Sequence, residues 1–226
     1  MTIDRGRNLL FVHIPKNAGK AVEVALGMIT EREASGYRFR SIGNRFATYI
    51  QRASSDALVA KRLFGTLDYT VTAQHLTLQE MLLLGLVEES KLPKLFSAAV
   101  VRNPWDRAIS TYAHLNGRLG TSDDFVRFWK DASMLSGPDH NIRAHLRPQI
   151  SFLRDCEGRI AVRKILRFES LSVDFERMLK PYARAELSVI GRRNCKINHR
   201  DYLSRDAKKL VEKIFEADIE HFKYCF

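Results

Sequence analysis

Two short stretches put cations where an apolar run gives way to a helix. Pro15-Lys16-Asn17-Ala18-Gly19-Lys20-Ala21 follows the run 9–14, and Arg102 follows the run 94–101, with Ser110 eight residues further along. A loop between a strand end and a helix start offers backbone N–H groups and the positive end of the helix dipole, and lysines add full charge. Such a loop suits phosphate or sulfate. If the second helix begins at Pro104, about two turns at 3.6 residues each bring Ser110 toward the side from which Arg102 enters. Guanidinium and hydroxyl then converge on a second anion site. Among the seven histidines, His75 falls between a strand-like run and a helix start, where an imidazole can act as a proton acceptor near neutral pH.

The nucleotide loop G-x-x-x-x-G-K-[ST] is the natural comparison for the first stretch. Gly19-Lys20 matches its centre, but Ile14 stands at its first glycine and Ala21 at its magnesium-binding hydroxyl. Both argue against a magnesium-dependent kinase or nucleotide hydrolase. No carboxylate pair is spaced for magnesium, so no metal is expected.

Strands must carry these residues and helices must cap them. The run 9–14 predicts a buried strand stopped by Pro15, and Ala21, Val24, Ala25 and Met28 form the stripe of an amphipathic helix behind it. The same grammar recurs. A strand over 70–75 leads to a capping box at Thr77 and Glu80 and a helix through Leu86. A strand over 94–101 leads to Asn103 as N-cap, Pro104 at the first helical position and a helix to Leu115. A strand over 163–168 leads to a helix ending at Pro181. Strands alternating with helices predict an α/β fold with a mainly parallel sheet, whose ligands gather at the carboxyl ends of the strands. Thr121 predicts a helix with Phe125, Phe128, Trp129 and Ala132, and Ser204 a last helix carrying Leu210, Val211, Ile214, Phe215 and Phe222. The aromatic spacing is that of core. The polar, arginine-rich stretch 31–62 reads as an excursion from the sheet.

Composition agrees with one compact domain over 1–226: 45% hydrophobic and 28% charged residues in 226. The net charge of +11 predicts a field that draws polyanions, nucleotides or anionic membranes. Cys156, Cys195 and Cys225 lack close pairing or metal spacing, which fits a reducing compartment. With neither a signal-peptide pattern nor an apolar run near the roughly eighteen residues of a membrane span, a cytoplasmic location is expected.

At its two cationic segments the sequence resembles the sulfotransferase superfamily, which takes 3′-phosphoadenosine 5′-phosphosulfate (PAPS) as donor. In that family a P-K-[TS]-[GA]-G-[TS]-[ST] loop holds the 5′-phosphosulfate, and an R-x-P-x-x-R-x-x-S-x-Y segment holds the 3′-phosphate. The first stands here as Pro15 to Ala21, and the second runs from Arg102 to Tyr112 with each of those positions matched. "QHLTLQEM", "RPQISFL", "LRFESLSVDFERML" and "EADIEHFKY" follow in order and resemble further segments of the carbohydrate sulfotransferases. Asn17, Lys20 and Ala21 replace hydroxyl residues around the 5′-phosphate, removing one or two neutral hydrogen bonds, while Lys20 adds a charge.

The resemblance implies a P-loop-like three-layer fold with helices flanking the sheet, and sulfuryl transfer from PAPS to a hydroxyl acceptor, most readily on a carbohydrate, leaving PAP. The donor site is then Pro15, Lys16, Asn17, Ala18, Gly19, Lys20, Ala21, Arg102 and Ser110. Lys16 would neutralise charge on the leaving phosphate and its bridging oxygen, and His75 would take the acceptor's proton. Arg143, Arg147 and Gln149 are candidates for gripping an anionic acceptor, and the arginine-rich 32–62 could line its cleft. The rival readings are a P-loop-type kinase, a non-catalytic PAP binder and a nucleic-acid-binding module. For the last, neither a basic recognition helix nor an aromatic β-face stands out, so no nucleic-acid partner is expected.

Overall fold

The computed structural model describes residues 3–34, 75–83, 85–132, 140–187 and 198–226. The expected strand over 70–75 lies outside these residues except for His75, which is in a helical turn rather than a strand, and the excursion beyond Ala34 and Cys195 lie outside them as well. Among the described residues, four strands form one sheet in sequence order: β1 (Ile3–Asp4), β2 (Leu9–Val12), β3 (Phe96–Val101) and β4 (Lys164–Arg167). β1 runs antiparallel to β2, while β2, β3 and β4 are parallel, with Val12 beside Ala99 and Ala99 beside Ile165. Because the three parallel strands end at one edge, the segments following them, 13–18, 102–103 and 168–170, collect there.

The pleat sorts the core into two layers around the sheet. Leu9, Phe11, Ala98, Val100 and Leu166 face α1 (Gly19–Ala25), through Val22 and Ala25, together with Phe175 from a later helix. Leu10, Val12, Ala99 and Val101 face the opposite way, toward Trp105, Ala108, Ile109, Tyr112, Phe125, Trp129, Val211 and Phe215. Both strand faces are apolar because both are covered, as the near-continuous hydrophobic runs require. Each fully buried large side chain, such as Phe11 or Phe125, contributes about 1.5–3 kcal/mol.

Local chemistry fixes the helix starts. After α2 (Glu31–Ala34), α3 (Leu78–Leu83) opens on the expected capping box: Glu80 N donates to Thr77 Oγ1 (3.1 Å) and Thr77 N to Glu80 Oε2 (2.8 Å). α4 (Pro104–Leu115) opens with Asn103 Oδ1 accepting from the N–H groups of Trp105 and Asp106. α5 (Ser122–Ala132) repeats the device with Thr121 and Asp124. α6 (His140–Leu146) and α7 (Leu171–Met178) follow. After α8 (His199–Tyr202), Ser204 Oγ caps α9 (Arg205–Ile214).

Three helices differ from their expected extents. α1 ends at Ala25 because Gly27 turns left-handed (φ 68°), although Met28 still packs inward. α3 stops before Leu86, with left-handed Gly85 (φ 65°) between them. The last helix divides at Phe215, whose backbone leaves the helical region (φ −114°, ψ 26°), and resumes as α10 (Glu216–Phe222). The break turns Asp218 inward, where its carboxylate accepts from the N–H groups of Gln149 and Ile150, both at 2.8 Å.

Candidate functional site

The loop after β2 takes its shape from two left-handed residues, Lys16 (φ 69°) and Ala18 (φ 61°). Neither is glycine, so each costs about 1–2 kcal/mol that the surroundings must offset. Turns of this kind aim backbone N–H groups into a concavity suited to an anion. Gly19 is required for a different reason. A Cβ there would lie 2.4 Å from the His13 ring, which packs against the first turn of α1. His13 lies just past the strand, and its Nδ1 stands 2.9 Å from Glu23 Oε2, with both residues buried. Lys16 is half-buried, and Lys20 is exposed with its Nζ donating to Ala34 O at 3.2 Å.

Arg102 meets this loop from β3. Its Nη1 donates to Lys16 O at 3.2 Å, and its guanidinium lies 4.3 Å over the Phe168 ring. Gln149 fixes the main chain at the same point. Its Oε1 accepts from Arg102 N (2.8 Å) and Asn17 Nδ2 (2.7 Å), while its Nε2 donates to Arg102 O (2.8 Å). The side chain expected to grip an acceptor is thus fully buried, with its amide spent on joining β3 to the loop. Asn17 also turns inward, donating to Val100 O at 2.7 Å, so its amide faces the sheet edge.

Arg107, the second arginine of the segment, was given no role by the sequence beyond the pattern match. It is buried and donates to three carbonyls: Pro15 (3.2 Å), Arg147 (2.9 Å) and His145 (3.3 Å). Burial brings its pKa down to about 10, with Asp218 opposing, so it remains a cation at neutral pH. Arg107, Ser110 and His114 stand at i, i+3 and i+7 of α4 and share a stripe. Arg107 reaches Pro15. His114 has its pKa lowered by burial and then by the charges of Lys16 and Lys20. Half-buried Ser110 lies between them on the stripe that meets the loop.

His75 is buried, with Nδ1 3.1 Å from the His13 carbonyl. A carbonyl only accepts, so Nδ1 carries a proton, and in the neutral tautomer this bond selects the lone pair lies on Nε2. Arg147 pairs with Glu80 at 2.8 Å, tying α6 to the helix that follows His75. Arg143 is half-buried, and its Nε has no hydrogen-bond partner among the described residues.

A third segment supports the start of α4. Glu169 Oε1 accepts from Asn103 N at 2.6 Å and Oε2 from the Tyr224 hydroxyl at 3.1 Å. Burial first, and then Glu169, push the Tyr224 pKa up, which keeps the phenol a donor. Arg167 lies over the Tyr224 ring and donates to Phe222 O, while Asp174 accepts from Arg167 N at 2.9 Å. "RFE" thus underpins Arg102 through the ring of Phe168 and the carboxylate of Glu169.

These segments place two cationic stretches at neighbouring strand ends, joined by the bond from Arg102 to Lys16 O, with the buried imidazole of His75 bonded to the His13 carbonyl beside one of them. Residues 1–225 match a family model described as the sulfotransferase family. No curated protein and no solved structure matched the chain. With nearly the whole length matched, the chain belongs to the sulfotransferase family and is a sulfotransferase, an enzyme of sulfuryl transfer. Among the described residues, no group of three or more His, Cys, Asp or Glu could hold a metal ion, and no helix is long and apolar enough to cross a membrane. Cys156 and Cys225 are free thiols.

Proposed function

We propose that the protein transfers the sulfuryl group of PAPS to a hydroxyl on a carbohydrate. The observation that carries this reading is the bond from Arg102 Nη1 to Lys16 O, which makes the two cationic segments one unit. Such a unit fits a donor with anionic groups at two ends. Lys16, the N–H groups of 15–21 and Lys20 would hold the phosphosulfate. Arg102 and Ser110 would hold the 3′-phosphate, the group that separates PAPS from ATP.

When bound, PAPS supplies an SO₃ group that moves in line between two oxygens, so the protein contributes position and charge. Lys16 neutralises the negative charge that grows on the leaving oxygen, a contribution on the order of 10²-fold in rate. His75 accepts the acceptor's proton on Nε2, the atom left basic by its bond to the His13 carbonyl. Arg143, with its buried Nε, and Arg147 flank the acceptor side, and Gln149 keeps the frame. Asn17 contributes through its backbone N–H, since its amide is turned to the sheet.

Calorimetric titration with PAP in the absence of magnesium, beside ATP, tests the donor assignment. Micromolar PAP binding that Arg102→Ala abolishes supports it, and absence of PAP binding by the folded protein refutes it. Sulfated product with PAPS and a panel of glycans, lost in Lys16→Ala, establishes transfer and acceptor class. PAP binding without transfer to any acceptor identifies a non-catalytic binder.

A further inference from the structure

The ring of His13 lies between the loop 15–21 and His75. On one side it packs on Gly19: the three ring atoms nearest to where a Cβ on that glycine would stand are Nε2 and the two carbons that flank it. On the other side it meets the His75 ring edge-on, with centroids 4.8 Å apart. Its other nitrogen is engaged, since Nδ1 stands 2.9 Å from Oε2 of Glu23, four residues beyond Gly19. Both His13 and Glu23 are buried. Packing alone does not call for such a pair, because apolar side chains of similar volume fill a buried site at no greater cost. An ionisable pair set between an anion loop and a proton acceptor has a chemical use.

We infer, resting on the reading of 15–21 as the donor loop and His75 as the base, that His13 is a further donor-binding residue. It donates from Nε2 to an oxygen of the phosphosulfate, and Glu23 is the positioning residue that orients it. The sulfuryl group travels from an oxygen held by the loop to an oxygen facing His75, and the His13 ring borders both. By occupying Nδ1, Glu23 leaves Nε2 as the atom for the donor.

The pair needs one proton beyond those of a carboxylate and a neutral imidazole. That proton gives an N–H at Nε2 whether the hydrogen between Nδ1 and Oε2 sits on the ring or on the carboxyl. It comes from water as the anionic donor arrives, and it offsets the Glu23 charge that would otherwise repel the donor. The titratable groups against the ring are Glu23 from α1 and His75 from the turn before α3, and the cations Lys16 and Lys20 belong to the loop on which it packs.

The test is NMR of the ring nitrogens on the full wild-type chain, labelled at histidine, with PAPS added and no acceptor present. PAPS should move the His13 Nε2 signal to that of a protonated, hydrogen-bonded nitrogen. Calorimetry with PAPS on two variants separates this contact from packing. His13→Asn places its amide near Nδ1, in reach of Glu23 only, and should weaken binding about 10-fold or more, the scale of one hydrogen bond to a charged group. His13→Gln carries an amide N–H to the position of Nε2 and should restore most of that affinity. An Nε2 signal that saturating PAPS leaves unmoved overturns the inference, as does wild-type affinity in His13→Asn, and equal losses in the two variants assign His13 to packing alone. If the folded wild type binds no PAPS, the donor reading itself fails.

Discussion

The guanidinium of Arg102 donates to the backbone carbonyl of Lys16 at 3.2 Å while lying over the Phe168 ring, 4.3 Å from its centroid. One side chain thereby links the loop after β2 to the segment after β4, across the end of β3. Only a planar fork can stack and donate sideways at once, which lysine cannot reproduce. Arg102→Lys should therefore weaken PAP binding by about 1.5–3 kcal/mol, the value of a charge-assisted hydrogen bond, with Arg102→Ala at least as weak. Calorimetry reads this directly, and an unchanged Kd in Arg102→Ala would remove Arg102 from the donor site.

Gly19 is a packing requirement imposed by His13. A methyl group there meets three atoms of the imidazole at 2.4–2.7 Å, closer than real contacts allow. Gly19→Ala should destabilise the protein by about 1–3 kcal/mol through overpacking. Combined with His13→Ala, part of that loss should return, giving a favourable coupling in a double-mutant cycle. Urea unfolding of the four proteins measures it, and strict additivity would show that the ring and the glycine are independent.

Much of the frame was legible because its signals are local. Asn103 before Pro104, Thr77 three residues before Glu80 and Ser204 before α9 announce helix starts through side chains that satisfy nearby N–H groups. What escaped depends on distant partners. Nothing in "RPQISFL" says that the Gln149 amide spans Arg102 and Asn17, 47 and 132 residues away. Arg107 is only a matched position in a pattern until its carbonyl partners, 38 to 92 residues distant, are seen. The break at Phe215 is equally hidden, because the apolar period continues across it while the buried N–H groups of Gln149 and Ile150 draw Asp218 inward.

His114 reports on the loop through its titration. Its pKa lies below the ordinary histidine value because of burial, then Lys16 and Lys20. A histidine that binds its proton less readily when folded contributes stability that is complete above about pH 6.5 and is lost as pH falls through its lower folded value. Lys16→Met should raise the His114 midpoint, and so should PAP, whose phosphates offset the lysine charges. NMR titration of the His114 ring proton tests both shifts, and a midpoint indifferent to Lys16 would separate His114 from the loop.

Arg107 and Asp218 are buried charges that depend on one another. Burial raises the Asp218 pKa, while Arg107 and the N–H groups of Gln149 and Ile150 hold it back. Arg107→Met leaves the carbonyls of Pro15, His145 and Arg147 without their donor and removes the cation that favours the Asp218 carboxylate. Leaving buried acceptors without their donor costs about 1–3 kcal/mol for each group. The sign of the pH dependence follows from the carboxyl. With its folded pKa raised further, the folded state binds more protons than the unfolded chain, so stability falls as pH rises from the ordinary carboxyl value through the raised one. Arg107→Met should thus lose more stability at about pH 8 than at about pH 5, and adding Asp218→Asn should recover part of the loss at the higher pH. Urea denaturation of both variants at the two pH values decides it. Equal losses at both would mean that Asp218 is held ionised by its two N–H donors alone.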